Sequence, residues 1–122
     1  MVKIEKRKYE IEFFNEDFIR KNKKNVNWVY ISRYYKLSEK FINEFKKYVS
    51  WSDISHYQTL SESFIEKFKD SVNWRHICQY QELSKSFIER HQNLVYNKMI
   101  SENKKLSEDF RKEFCDKVGI IR

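Results

Sequence analysis

Residues 60–82 read LSESFIEKFKDSVNWRHICQYQE, and residues 37–59 read LSEKFINEFKKYVSWSDISHYQT. The two stretches match at most of their apolar positions and at the opening Leu-Ser-Glu, with a spacing of 23 residues. Self-similarity at a fixed period of this length is typical of a repeat protein. The period places degenerate copies on either side, at residues 14–36 and 83–105.

Each copy contains two segments with helical spacing. In the second copy the first segment follows Ser38, a good helix cap, and has apolar residues three, four and seven positions after it. The second segment follows Ser50 and has Trp51, Ile54 and Tyr57 at a spacing of three, which puts them on one helical face. Equivalent caps occur at Asn27, Ser61, Asn73, Ser84 and Ser107. The pattern predicts two short helices per copy.

An alternative interpretation makes the second segment a strand, as in a strand-plus-helix solenoid, since 23 residues is also a leucine-rich-repeat period. A strand requires an apolar spacing of two, whereas the observed spacing is three, so a helix is favoured. We predict an all-α fold: a solenoid-like stack of short helical hairpins with 23-residue repeats. One domain spans 1–122. It consists of an N-terminal cap at 1–13, where apolar residues alternate, repeats at 14–105, and a C-terminal capping helix at 106–122 that ends at Gly119.

The charge of the chain is concentrated at its N-terminal end. Residues 1–47 contain 13 Lys or Arg and 7 Asp or Glu, a net charge of +6, whereas residues 48–122 contain 12 and 11, a net charge of +1. Such asymmetry favours an acidic partner, and counterion release would drive binding if that partner is a nucleic acid. No run is apolar enough for a membrane span and no secretory signal precedes the repeats, so we expect a cytoplasmic protein with no membrane partner.

Residues that could perform chemistry are sparse. The three histidines occupy different repeat positions, and Gly119 is the only glycine, which disfavours a metal site and a phosphate-binding loop. Cys78 occupies a position that is Ser in other copies, and this predicts a small packing residue. A pairing of Cys115 with His91 as thiol nucleophile and base has no supporting motif. We therefore expect no catalysis and no cofactor.

The aromatic positions admit two interpretations. The column Trp28, Trp51 and Trp74 could stack bases, as in one-base-per-repeat RNA readers, or form the core between copies. Because each Trp is accompanied by Ile and Tyr at helical spacing, core is favoured. The Tyr-Gln ends of the second segments, residues 57–58 and 80–81, are expected to be partly exposed.

The pattern Leu-Ser-Glu-x-Phe-Ile…Val-x-Trp-x-x-Ile-Ser-x-Tyr-Gln resembles the short helical repeats of uncharacterised bacteriophage and giant-virus proteins, over roughly residues 14–118. That repeat contains no known catalytic motif, so the resemblance transfers no functional residue. A small basic protein of this kind is also similar to anti-CRISPR proteins, which commonly bind an effector nuclease or its guide RNA. The resemblance implies a phage-type inhibitor acting in the cytoplasm of the host cell.

The basic residues of the first two copies are the candidate binding residues. They form a dense run at the end of the first helix and continue along the next copy, with two tyrosines interleaved. The predicted partner site comprises Arg20, Lys21, Lys23, Lys24, Arg33, Tyr34, Tyr35, Lys36, Lys46 and Lys47. The expected partner is a host protein or ribonucleoprotein, with a CRISPR effector as the specific case, or RNA itself. The alternatives are a protein–protein adaptor with incidental charge and a solvated basic face.

Overall fold

The computed structural model describes residues 15–120, and every regular element in that range is an α-helix. The described helices are α1 (Glu16–Lys21), α2 (Trp28–Tyr34), α3 (Glu39–Glu44), α4 (Trp51–Tyr57), α5 (Glu62–Lys67), α6 (Trp74–Tyr80), α7 (Lys85–Arg90), α8 (Asn97–Ser101) and α9 (Glu108–Val118). The all-α prediction is confirmed, and the strand-plus-helix alternative is wrong for this range. The predicted N-terminal cap, residues 1–13, lies outside the described residues.

The helices begin at the caps that the sequence predicts. In each case the cap side chain accepts a hydrogen bond from the backbone N–H three residues later, as between Ser38 and Phe41 at 3.0 Å. The same bond occurs at Asn27, Ser50, Ser61, Asn73, Ser84 and Ser107. Helix α8 is an exception, because its cap residue, Tyr96, forms no side-chain cap bond. Helix α9 ends as predicted at Gly119, whose φ of 79° is the left-handed conformation that glycine favours.

The chain divides into two compact units, the first ending at Gln58 and the second beginning at Thr59. Within the first unit α1 packs on α3 and α2 packs on α4. Within the second unit α5 packs on α7, α6 packs on α8, and α8 contacts α9. Equivalent helices of successive copies are therefore partners, which confirms a repeat stack inside each unit. The single domain predicted for residues 1–122 stays a prediction.

The core of each unit is built on isoleucines, accompanied by buried phenylalanines. One isoleucine from each of the first eight helices has almost no exposed surface, namely Ile19, Ile31, Ile42, Ile54, Ile65, Ile77, Ile88 and Ile100. Cys78 is also fully buried, and this burial raises the pKa of its thiol to about 11. Its Sγ accepts the N–H of Tyr96 at 3.3 Å, just as Ser32 Oγ accepts the N–H of Ser50 at 3.0 Å. The prediction of a packing role for Cys78 is confirmed.

The tryptophan column belongs to the packed interior. Trp74 is buried, and Trp28 and Trp51 are partly buried. Each indole N–H donates to the carbonyl of the lysine five residues earlier, at 2.7 Å for Lys23, 3.0 Å for Lys46 and 2.9 Å for Lys69. The Trp28 ring also packs on Phe45 with centroids 5.2 Å apart. These tryptophans therefore fix the loop between the two helices in each of the first three copies, which favours the core interpretation over a base-stacking ladder.

Buried amides link successive copies, and they correct the expectation that the Tyr-Gln ends are exposed. Gln58 is 4% exposed and Gln81 1% exposed. The Gln58 amide donates to the carbonyls of Ser32 at 2.8 Å and Tyr35 at 2.7 Å, and its oxygen accepts the N–H of Leu37 at 2.9 Å. The side chain therefore satisfies carbonyl groups at the end of α2, where no further helical turn supplies N–H donors. We call this arrangement an amide clamp.

The fourth copy keeps the clamp with a different residue. Asn103 is fully buried and donates to the carbonyls of Cys78 at 2.7 Å and Gln81 at 2.8 Å, the repeat equivalents of Ser32 and Tyr35. It lies one position before the Gln of the other copies, because α8 has five residues where α6 has seven. Asn, whose side chain is one methylene shorter than that of Gln, reaches the same two carbonyl groups from this position.

Candidate interaction surface

Four of the predicted binding residues lie on two equivalent loops of the first unit. Lys23 and Lys24 belong to the loop between α1 and α2, and Lys46 and Lys47 occupy the same positions between α3 and α4. Because α1 packs on α3 and α2 on α4, the two loops are neighbours. The Lys23 ammonium lies 5.7 Å from the centre of the Tyr48 ring, which connects the loops directly.

These lysines form a basic edge. All four are exposed, as is Lys21 at the end of α1. Over residues 15–120, none of the five has a carboxylate within ion-pair distance. Their backbones are held by the indole bonds to Lys23 and Lys46, so the loops have a defined course. We call Lys21, Lys23, Lys24, Lys46 and Lys47 the lysine edge.

Arg20 differs from these lysines because it is paired with carboxylates of the same unit. Its guanidinium makes two hydrogen bonds to Glu44, at 2.6 and 2.9 Å, and contacts Glu16 and Asp17 at 3.0 Å each. The Glu44 hydrogen bond raises the pKa of Arg20 and lowers the pKa of Glu44. Arg20 therefore joins α1 to α3, and three carboxylates face its charge. Its role as a partner-binding residue stays a prediction.

Arg33 lies at the far end of α2 and contacts aromatic rings. Its guanidinium carbon is 5.9 Å from the Tyr34 ring centre and 5.1 Å from that of Tyr57. Its Nε donates to Asp53 at 3.1 Å, and hydrogen bonds to Tyr34 and then Asp53 raise its pKa. The His56 ring stacks on Tyr57 with centroids 3.8 Å apart. We call Arg33, Tyr34, His56 and Tyr57 the tyrosine–arginine cluster.

The single predicted patch is thus divided between two places. Lys36 is exposed just beyond the end of α2, which is the end that carries the tyrosine–arginine cluster. The lysine edge lies at the other end, before the start of α2. A helix of seven residues separates the two surfaces by about 10 Å. Tyr35 is only 5% exposed, so its side chain is part of the core. Its role as a partner-binding residue stays a prediction.

Sequence reasoning missed His56 and the pairing of Tyr57 with Arg33. The signal was present, since Tyr57 is the repeat equivalent of Tyr34 and Arg33 precedes Tyr34. What periodicity could not show is that rings of two successive copies both lie within 6 Å of one guanidinium. The expectation of partial exposure is met by Tyr57 itself, which is 45% exposed.

Other candidate chemistry finds little geometric support between residues 15 and 120. His91 Nε2 lies 2.7 Å from a Glu66 oxygen, and no hydrogen bond joins it to the buried Cys115 there. That range contains no group of three His, Cys, Asp or Glu side chains placed to hold a metal ion. None of its helices combines the length and the hydropathy that crossing a bilayer requires.

Comparison with protein-family models, with curated proteins and with solved structures finds no match at a significant level.

Proposed function

We propose that this protein is a non-catalytic binding protein whose lysine edge contacts RNA, alone or within a host ribonucleoprotein. The observation that supports the proposal is the lysine edge, in which lysines of two successive copies lie together and have no ion-pair partner among residues 15–120. The resemblance to bacteriophage and giant-virus repeats adds a biological setting. In that setting the protein is an inhibitor in the host cytoplasm, and a CRISPR effector with its guide RNA is the specific partner.

The charge balance of the described residues favours the first unit as the contact surface. Residues 15–58 contain 9 Lys or Arg and 5 Asp or Glu, a net charge of +4. Residues 59–120 contain 11 and 10, a net charge of +1. Since Arg20 and Arg33 already face carboxylates, most of the uncompensated charge belongs to lysines. Lysines that meet phosphates release counterions, which makes binding strong at low salt and weak at high salt.

The test is RNA affinity as a function of salt. Replacement of Lys23, Lys24, Lys46 and Lys47 by Gln removes four phosphate contacts. The slope of log K against log salt should become less steep by about 3, since each contact contributes about 0.7 to 0.9. The matched control replaces four exposed lysines of the second unit by Gln, namely Lys69, Lys104, Lys105 and Lys112. The control should keep nearly the wild-type slope.

A result in which both quadruple variants change the slope equally would contradict the lysine edge as the site. Failure of the wild-type protein to bind RNA or a ribonucleoprotein at low salt would contradict the proposal as a whole.

The second candidate is a protein–protein adaptor, and the arginines favour it. Arg20 and Arg33 are the residues best suited to bidentate phosphate recognition, yet both are engaged by carboxylates of the same unit. For an adaptor, affinity for the partner protein should depend little on salt, and substitution of the lysine edge should leave it nearly unchanged.

A further inference from the structure

The tyrosine–arginine cluster presents two aromatic rings on the surface of the first unit. Tyr34 is 49% exposed and Tyr57 is 45% exposed, although aromatic rings of this size are usually buried to a greater extent in a packed repeat. Their nearest charged neighbour is Arg33, with its guanidinium carbon within 6 Å of both ring centres. One cation therefore lies within cation–π distance of two aromatic rings.

Contacts with buried side chains hold the cluster in place. Asp53 is 8% exposed, and it accepts hydrogen bonds from Arg33 at 3.1 Å and from the Ser50 hydroxyl at 2.7 Å. Tyr34 packs on the buried Tyr30, with ring centroids 4.6 Å apart. The rings are therefore positioned before any partner arrives, which lowers the entropic cost of binding.

The repeat itself does not require this cluster. At the position of Arg33 the next two copies have His56 and Gln79, and Tyr80, the equivalent of the two exposed tyrosines, is only partly exposed. Most positions that form the scaffold recur in several copies, whereas at the position of Arg33 the copies within residues 15–120 have Arg only once. A feature that departs from the repeat at an exposed place is better explained by a partner than by folding.

We propose that the tyrosine–arginine cluster is a stacking site for the unpaired bases of single-stranded RNA. The inference rests on the proposed function and adds the class of RNA. Bases stack on Tyr rings and on guanidinium planes when they are not paired, whereas a duplex hides the faces of its bases. Lys36 lies next to the cluster, and the described part of this unit has a net charge of +4. An anionic partner with aromatic faces fits these surroundings better than an apolar peptide does.

The test compares binding of a labelled 12-nucleotide oligouridine with binding of a 12-base-pair RNA duplex, at one fixed low salt concentration. The double substitution Tyr34→Ala and Tyr57→Ala should weaken binding of the single strand by about 10- to 100-fold. Its affinity for the duplex should stay within about twofold of wild type, because phosphate contacts alone hold a duplex.

Two control variants separate stacking from folding. Tyr34→Phe with Tyr57→Phe keeps both rings and should retain single-strand binding within about threefold. Tyr96→Ala removes a ring that is equally exposed, at 49%, but lies in the second unit, and it should change neither affinity. Circular dichroism and a urea unfolding curve of the Ala double variant establish that it is folded at the assay temperature.

The outcomes distinguish the two proposals. If the Ala double variant binds the single strand as wild type does, or loses both RNAs equally, the stacking site is refuted while the lysine edge stands. If wild type binds neither RNA, the proposed function and this inference both fail, and the exposed rings would then belong to a protein interface.

Discussion

Replacement of Gln58 by Met is the sharpest test of how successive copies are held together. Met has nearly the shape of Gln but neither donates through nitrogen nor accepts strongly. The variant would therefore keep the packing and remove the amide clamp. Three backbone groups would lose their partner, namely the carbonyls of Ser32 and Tyr35 and the N–H of Leu37.

The expected loss of stability follows from the number of buried backbone groups that are left without a hydrogen-bond partner. An unsatisfied buried donor or acceptor costs about 1–3 kcal/mol, so three such groups cost roughly 3–9 kcal/mol. The thioether recovers about 1 kcal/mol through burial of apolar surface. A water molecule that hydrogen-bonds to the backbone N–H of Leu37 offsets a further part of this cost. We expect the free energy of unfolding to fall by about 3–5 kcal/mol, which is a large part of the 5–15 kcal/mol typical of a whole domain.

The assay is equilibrium unfolding in urea, followed by tryptophan fluorescence. With a denaturant slope of about 2 kcal/mol/M, the midpoint should fall by roughly 2 M. The matched control is Gln79→Met, because Gln79 is half-buried but its side chain makes no hydrogen bond to any residue in 15–120. Its midpoint should shift by less than about 0.3 M. Equal shifts in the two variants would refute the clamp as a source of stability.

A second substitution tests the direction of the hydrogen bonds. In Gln58→Glu a carboxylate would face two carbonyl oxygens, and only the protonated acid can donate to one of them. Burial beside carbonyl groups raises the pKa of such an acid, so its stabilising contribution exists at low pH and is lost as pH rises through that pKa. The deficit relative to wild type should therefore shrink between pH 7 and pH 4. A deficit that grows over this interval would contradict the assigned orientation of the amide.

Two other predictions concern single side chains. Cys78→Ser should leave stability within about 1 kcal/mol of wild type, whereas Cys78→Ala should cost about 1–3 kcal/mol, because only Ala leaves the Tyr96 N–H without an acceptor. Equal urea midpoints for these two variants would show that this bond contributes nothing. Glu44→Gln should reduce stability slightly at neutral pH. Because the pKa of Glu44 is lowered in the folded protein, the stabilisation by its carboxylate is present above the ordinary pKa and is lost as acid protonates the carboxylate. Thermal unfolding of both proteins at pH 7 and pH 3 checks this, and a difference that persists unchanged at pH 3 would count against the Arg20 pair as its cause.

The sequence was sufficient to predict what depends on local chemistry. Caps such as Ser38 and Ser107 follow from the needs of a helix N-terminus, and the end of α9 follows from Gly119. The spacing of Trp51, Ile54 and Tyr57 distinguishes helix from strand. These inferences need only a few neighbouring residues, and the repetition of each signal in several copies reinforces them.

What the sequence could not show are contacts between residues about one period apart. Gln58 is polar and was expected at the surface, but its partner Tyr35 is 23 residues away. Arg20 was expected to bind a partner, but its compensation by Glu44 arises only when α1 lies on α3. Asn103 lies in the degenerate fourth copy, at a position that is Tyr80 in the third, yet its amide performs the function of Gln one position earlier.

The amide clamps restrict how a chain of this kind can change its length in evolution. Gln58 and Asn103 each serve carbonyl groups of the preceding copy, so a duplicated segment of 23 residues brings both a new amide and a new set of acceptors. Deletion or insertion of whole periods therefore preserves the pairing. A single inserted or deleted residue breaks it unless the side chain changes its reach at the same time, as the replacement of Gln by Asn does at Asn103. Gene variants that differ in length by multiples of 69 nucleotides should accordingly be tolerated far better than variants that differ by three.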